Sequence, residues 1–230
     1  MTLRAVLFDL DDTLYPERQF VDGGFAAVAG FLEPQLNVSA EALGSRLLEL
    51  HDRDGRGRLF DALLAEHLPA VEPPLLLACV LVYRTHTPNL EPFDDVVETL
   101  TELRAGGLRT GLVSDGMASV QRRKLDALPA VARLLDQVVM TDELGAEHWK
   151  PSPLPFRVAA RLLEVEPGAA AYVANDPRKD FVGARTAGLR TIRVGRLPDE
   201  GGGTMPSFEC ADDADEVVAR FADLPEALWR

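Results

Sequence analysis

Five short apolar runs recur along the chain: RAVLFDL (4–10), RTGLVS (109–114), DQVVM (136–140), AAYVA (170–174) and RTIRV (190–194). Runs that are apolar almost throughout and alternate with helical stretches predict a parallel sheet covered by helices on both faces. The helices between them are expected over 117–127, 153–164 and 179–187, the last stopped by Gly188. Residues 15–90 break this rhythm, with helix-like periodicity in GGFAAVAGFLEPQL, SAEALGSRLLELHD, GRLFDALLAEHL and PPLLLACVLVYR and no convincing strand. Ser39 reads as a helix start. The predicted organisation is therefore an α/β core over 1–14 and 91–230, with an all-helical cap over 15–90 inserted after the first strand. Such a cap would lie over the strand's carboxyl end, where open α/β sheets bind ligands. GGGTMP (201–206) reads as a flexible break and DADEVVARFADL (213–224) as a short closing helix; there is no internal repeat.

Charge narrows the partners. A net charge of -13 argues against nonspecific binding to nucleic acid or anionic membrane, and implies a local cationic cluster for any anionic substrate. The two cysteines, Cys79 and Cys210, lie far apart; Cys79 sits in LLLACVLVY and reads as core, and no spacing supports zinc. LLLACVLVY is too short to cross a bilayer, and MTLRAVLFDLDDT meets acids too early for a signal peptide. The expectation is a soluble, reduced, cytoplasmic protein, monomeric or a homodimer.

The chemistry concentrates where apolar runs end. FDLDDTL places Asp9, Asp11, Asp12 and Thr13 at the end of a buried strand, a costly cluster unless a cation or hydrogen bonds compensate it. A calcium EF-hand is excluded, since the sixth and twelfth positions from Asp9 are Leu14 and Phe20. Ser114, Asp115 and Gly116 follow the second run, Lys150 precedes Pro151, and AYVANDPRKDF breaks into Asn175, Asp176 and Asp180. Each has a plainer reading: Thr13 as a turn threonine, Ser114 or Asp115 as a helix cap, Lys150 as a surface lysine, Asp176-Pro177 as a helix start.

In this order, FDLDDTL, LVSDG, the Lys-Pro of HWKPSP and VANDPRKD resemble the four motifs of the haloacid dehalogenase superfamily. The resemblance covers the whole chain and implies a Rossmann-like core with a helical cap of the C1 type. It implies Asp9 as a nucleophile forming an aspartyl-phosphate, Asp11 as general acid and then base, and Thr13 as support for the loop. Dehalogenases of the superfamily lack an acid at the second position, so Asp11 favours phosphoryl transfer. The Ser114 hydroxyl and the Gly116 amide, with Asp115, would hold the phosphoryl group, and Lys150 would neutralise it as a point charge.

A phosphate dianion beside Asp9 and Asp11 calls for a divalent ion, and magnesium suits a few oxygens with waters. The resemblance implies Asp9, the Asp11 main-chain carbonyl and a fourth-motif acid as ligands. That motif departs from the usual Gly-Asp-x-Pro-x-x-Asp, having Ala174 and Asn175 in place of Gly and Asp. Asp176 is the expected ligand and Asn175 the alternative, while Asp180 would hold Lys150 or a metal-bound water. In the cap, Arg53, Arg56 and Arg58 around Gly55 and Gly57 form either a substrate-anion loop or a solvated turn. The function implied is a magnesium-dependent phosphatase acting on a small sugar or organic-acid phosphate. The alternatives are a phosphotransferase or mutase using the same intermediate, and a catalytically weakened binding protein on this fold.

Overall fold

A computed structural model describes residues 2–55, 57–195 and 214–229. Six parallel strands, β1 (Ala5–Phe8), β2 (Arg109–Ser114), β3 (Gln137–Met140), β4 (Ala170–Ala174), β5 (Arg190–Val194) and β6 (Glu216–Val218), form one sheet in the order β3-β2-β1-β4-β5-β6. The five strands expected from the apolar runs are all present. Every residue of β1 and β4 is buried, as two-sided covering requires. One face packs Ala5, Leu7, Val113 and Tyr172 against α8 (Leu154–Leu162) and α9 (Phe181–Ala187) through Phe156, Ala160, Phe181 and Ala184. On β1, Phe8 stacks its ring 5.6 Å from Phe221, which opens the C-terminal segment ending in α10 (Leu224–Trp229).

The chain divides into two compact units. One is Met1–Glu17 with Leu90–Arg230, the other Arg18–Asn89. The second is built from α1 (Glu17–Leu36), α2 (Ala40–Asp54), α3 (Leu59–His67) and α4 (Pro73–Thr85). Its core takes Val21, Phe25, Val28 and Leu32 from one face of α1 and Leu43, Leu47 and Leu50 from α2. Ser39 caps α2, its hydroxyl accepting from the Ala42 amide at 3.3 Å. Cys79 is fully buried and its thiol is pushed up to about 11 by that burial. Gly24 admits the Tyr83 ring, which would lie 2.5 Å from a Cβ at that position.

Two expectations are corrected. The closing segment is not a helix over 213–224: Glu216–Val218 joins the sheet beside β5, a 3-10 turn covers Phe221–Asp223, and the helix begins only at Leu224. Val217 and Val218 extend a sheet edge, and that tertiary pairing overrides the helix-like pattern. Nor does a helix start at Asp176-Pro177. The Asp176 carboxylate accepts from the Arg178 amide at 3.0 Å, closing a turn, and α9 begins at Phe181. The GGGTMP stretch and Cys210 lie outside the described residues.

Gly183 lets α9 press on the segment that follows Lys150: a Cβ there would sit 2.3 Å from the Pro151 carbonyl oxygen and 2.9 Å from Phe156. Neither neighbour is a flexible side-chain end, so Gly183→Ala is expected to destabilise the fold by about 1–3 kcal/mol, the usual cost of overpacking. Urea unfolding checks this; an unchanged midpoint would contradict the close approach.

Candidate active site

The strand register gathers the site. Phe8 lies opposite Leu112 of β2 and Val173 of β4, so Asp9, Ser114 and Asn175 all emerge just past this level at the carboxyl ends of three adjacent strands. The order reverses between β1 and β4, the switch point where open sheets bind ligands. The Asp9 amide still bonds to the Val173 carbonyl at 3.0 Å, which fixes the start of the loop. Asp12 then takes a left-handed φ of 55°, and its carboxylate accepts from the Glu17 amide at 2.8 Å at the start of α1. Asp12 therefore builds the loop, while Asp9 and Asp11 are left to face the interior.

Asp9 is 2% exposed and shares one buried ammonium. Lys150 Nζ donates to Asp9 Oδ1 at 2.6 Å, Asp180 Oδ1 at 2.8 Å and the Tyr172 hydroxyl at 2.8 Å, and that hydroxyl donates to Asp180 at 3.0 Å. Burial works against the charged lysine, yet Asp180, Asp9 and Asp115 outweigh it and hold the ammonium protonated above its ordinary range. Asp180 moves up, because burial and the Asp9 charge outweigh Lys150. Asp9 Oδ2 is buried with no hydrogen-bond partner among the described residues.

The loop carrying Lys150 is itself positioned. Asp115 Oδ1 accepts from Thr141 Oγ1 at 2.7 Å and from the Lys150 amide at 3.2 Å. Asp115, expected beside the substrate, thus serves as an anchor for that loop. Gly116 has a φ of 116°, which turns the chain after Ser114 into α6 (Ala118–Asp126).

Asp11 is held from α6. Its Oδ1 accepts from the Tyr15 hydroxyl at 2.6 Å and Lys124 Nζ at 2.8 Å; its Oδ2 accepts from Gln121 Nε2 at 2.9 Å and Lys124 Nζ at 3.0 Å. Burial would raise the Asp11 carboxyl, but the Lys124 charge and these donors bring it below its ordinary value. Gln121 Nε2 also donates to Ser114 Oγ at 2.7 Å. Sequence reasoning missed Tyr15, Gln121, Lys124 and Tyr172. The signal available was the i, i+3 spacing of Gln121 and Lys124 on a helix following LVSDG.

The fourth motif is sorted by its partners. Asn175 Oδ1 accepts a 3.3 Å bond from Thr13 Oγ1, tying the first motif to the fourth. Both Asp176 oxygens are taken by the Arg178 guanidinium, at 2.9 and 2.8 Å, so the acid expected to face an ion is turned to a neighbouring cation. Lys179 adds a half-buried ammonium whose protonation is favoured first by the charge of Asp9. Among the described residues no three His, Cys, Asp or Glu side chains form a metal-binding group. In the helical unit, Arg53 pairs with Asp54 at 2.5 Å and Arg58 lies 3.7 Å from Asp61 with its side chain 89% exposed. Arg56 lies outside the described residues. No described helix is long and apolar enough to cross a membrane.

Comparison with known proteins agrees with this arrangement. A family model described as haloacid dehalogenase-like hydrolase matches residues 6–194. A glyceraldehyde 3-phosphate phosphatase of Methanopyrus kandleri is 38% identical, covering 98% of this chain and 95% of its own. Among solved structures, an HAD phosphatase from Thermococcus onnurineus is 25% identical with a TM-score of 0.64, over 98% of both chains. A 2-haloacid dehalogenase from Pseudomonas syringae pv. Tomato DC3000 is 26% identical with a TM-score of 0.64, covering 99% of this chain and 98% of its own. With its parallel sheet, its strand-end acids and a match running from β1 to β5, this chain is an enzyme of the haloacid dehalogenase-like hydrolase family.

Proposed function

We propose that the enzyme is a phosphatase hydrolysing a small phosphate monoester, with Asp9 as nucleophile. The observation that carries the proposal is the asymmetry of Asp9: Lys150 grips Oδ1, while Oδ2 is buried with no hydrogen-bond partner among the described residues. A second acid, Asp11, stands two residues on. A dehalogenase has no use for that acid, because a halide leaves without a proton. In the first half-reaction an Asp9 oxygen bonds to phosphorus, the bond from phosphorus to the ester oxygen breaks, and Asp11 gives that oxygen a proton. In the second, water bonds to phosphorus, Asp11 takes a proton from it, and the bond to Asp9 breaks, returning the carboxylate. Lys150 and Lys179 supply the positive charge that an anionic substrate needs in a chain of net charge -13. The Ser114 hydroxyl and the Gly116 amide are proposed to hold phosphoryl oxygens. Because the Methanopyrus kandleri relative is named for glyceraldehyde 3-phosphate, triose phosphates are the first substrates to test.

Magnesium suits the oxygens on offer: the unpartnered Asp9 Oδ2, the Asp11 main-chain carbonyl and the neutral Asn175 Oδ1. When bound, it would offset charge on the transferring phosphoryl group. Asp176 is not proposed as a ligand, since Arg178 occupies both its oxygens.

Two experiments test this reading. On a panel of triose, sugar and organic-acid phosphates, Asp9→Asn is expected to lower kcat by about three orders of magnitude or more, the scale seen when a nucleophile is removed. Residual turnover near wild type would remove the nucleophile assignment. For the ion, Asn175→Asp adds a carboxylate and is expected to tighten magnesium binding about tenfold, because ligand charge tunes affinity; Asp176→Asn is expected to leave it unchanged. Magnesium titration followed by thermal shift and by activity after EDTA treatment reads both, and the reverse pattern would hand the site to Asp176.

A further inference from the structure

We propose that Lys124, with Gln121 one turn earlier on α6, is a positioning residue that sets the orientation of the Asp11 carboxylate and ties it to Ser114. The proposal rests on the phosphatase reading for the role of Asp11, and on geometry for everything else. That carboxylate accepts four hydrogen bonds from Tyr15, Gln121 and Lys124, two to each oxygen at 2.6 to 3.0 Å. Lys124 spans both oxygens with its side chain only 5% exposed, against 16% for Asp11, and also reaches Glu17 Oε1 at 3.6 Å. Gln121 is 2% exposed, and both of its Nε2 hydrogens are committed, one to Asp11 and one to Ser114 Oγ. A carboxylate and a hydroxyl oxygen on the same nitrogen fix which end of the amide is NH2, so this bridge has one orientation.

Taking a lysine and an aspartate out of water is costly, and such pairs often contribute little net stability. Fold stability therefore does not account for a buried cation clamped on both oxygens of an acid. Orientation does. Asp11 sits on a tight loop, where rotation about its Cα–Cβ bond would carry the carboxylate between α6 and the space beside Asp9. Donors from one helix face, three residues apart, select one of these settings. Because the same glutamine holds Ser114, the acid and the proposed phosphoryl contact are placed as one piece. Lys150, gripping Asp9 and Asp180, stands apart from this unit and makes no contact with Asp11.

The test compares wild type with Lys124→Met, Lys124→Arg, Asp11→Asn and the Lys124→Met/Asp11→Asn pair. On an alkyl phosphate that the wild type hydrolyses, Lys124→Met is expected to lower kcat roughly a hundredfold with KM within about threefold, while Lys124→Arg recovers most of the rate. The double variant is expected to be no slower than Asp11→Asn within about twofold, because the lysine acts through the acid. Multiplicative losses in the double variant, or a loss carried by KM, would overturn the proposal. The same four variants and the wild type in urea give a readout without turnover: Lys124 and Asp11 are expected to couple, the double variant unfolding at higher urea than independent losses would give. Should the wild type hydrolyse no phosphate ester, the phosphatase reading fails while this coupling still decides whether Lys124 holds Asp11. Independent effects in urea would sink the clamp in either case.

Discussion

The ammonium of Lys150 is the point on which the rest of the site depends. It is inaccessible to solvent and lies within 2.8 Å of Asp9, Asp180 and the Tyr172 hydroxyl. A buried charge is tolerated only when paired and hydrogen-bonded, and removing one partner of such a pair typically costs about 3–5 kcal/mol. The surroundings are arranged to keep it there. Asp115 and Thr141 pin its loop, Gly183 lets α9 close over Pro151, and Phe156 meets Tyr172 edge-on at 4.8 Å. The lysine joins the strand ends of β1 and β4 through the helix start at Phe181, so motifs 141 residues apart in the chain share one proton-rich group.

The sheet order explains why these groups meet. With β1 central and its neighbours β2 and β4 reached by crossovers in opposite directions, three strand ends open into one crevice. Parallel strands in register deliver the residues that follow them to a common level, and Asp9, Ser114 and Asn175 need no long loop to come together. The helical unit leaves the chain immediately after the Asp9–Tyr15 loop, where Asp12 caps α1 by accepting from the Glu17 amide. An acid that looks chemical in FDLDDTL thus caps the start of α1 within its own unit, and its left-handed φ of 55° belongs to that turn.

Much of this was legible in the chain because apolar runs and turn residues act locally. The five strands, the Ser39 cap and Gly188 at the end of α9 follow from periodicity and capping alone. What escaped depends on partners distant in sequence. Strand β6 carries only Glu216, Val217 and Val218, and it is a strand because β5 offers an unpaired edge. Asp115 reads as a substrate contact until Thr141 and the Lys150 amide are seen to occupy it. Gln121 and Lys124 look like the polar face of an ordinary helix, and only the fold turns that face inward onto Asp11.

The fourth motif shows how charge decides between residues that spacing leaves equal. Replacing the usual acid by Asn175 removes one negative charge beside Asp9, and Asp176 does not restore it, because a guanidinium two residues away offers a fork that matches its carboxylate. Lys179 then adds a positive charge within the field of Asp9. The corner is therefore less anionic than the pattern it resembles, by the acid lost at Asn175. A cation drawn there would meet weaker attraction, and an anionic phosphoryl group stronger attraction, than at a site with an aspartate at position 175. A site built this way balances the Asp9 carboxylate with ammonium groups held by the fold.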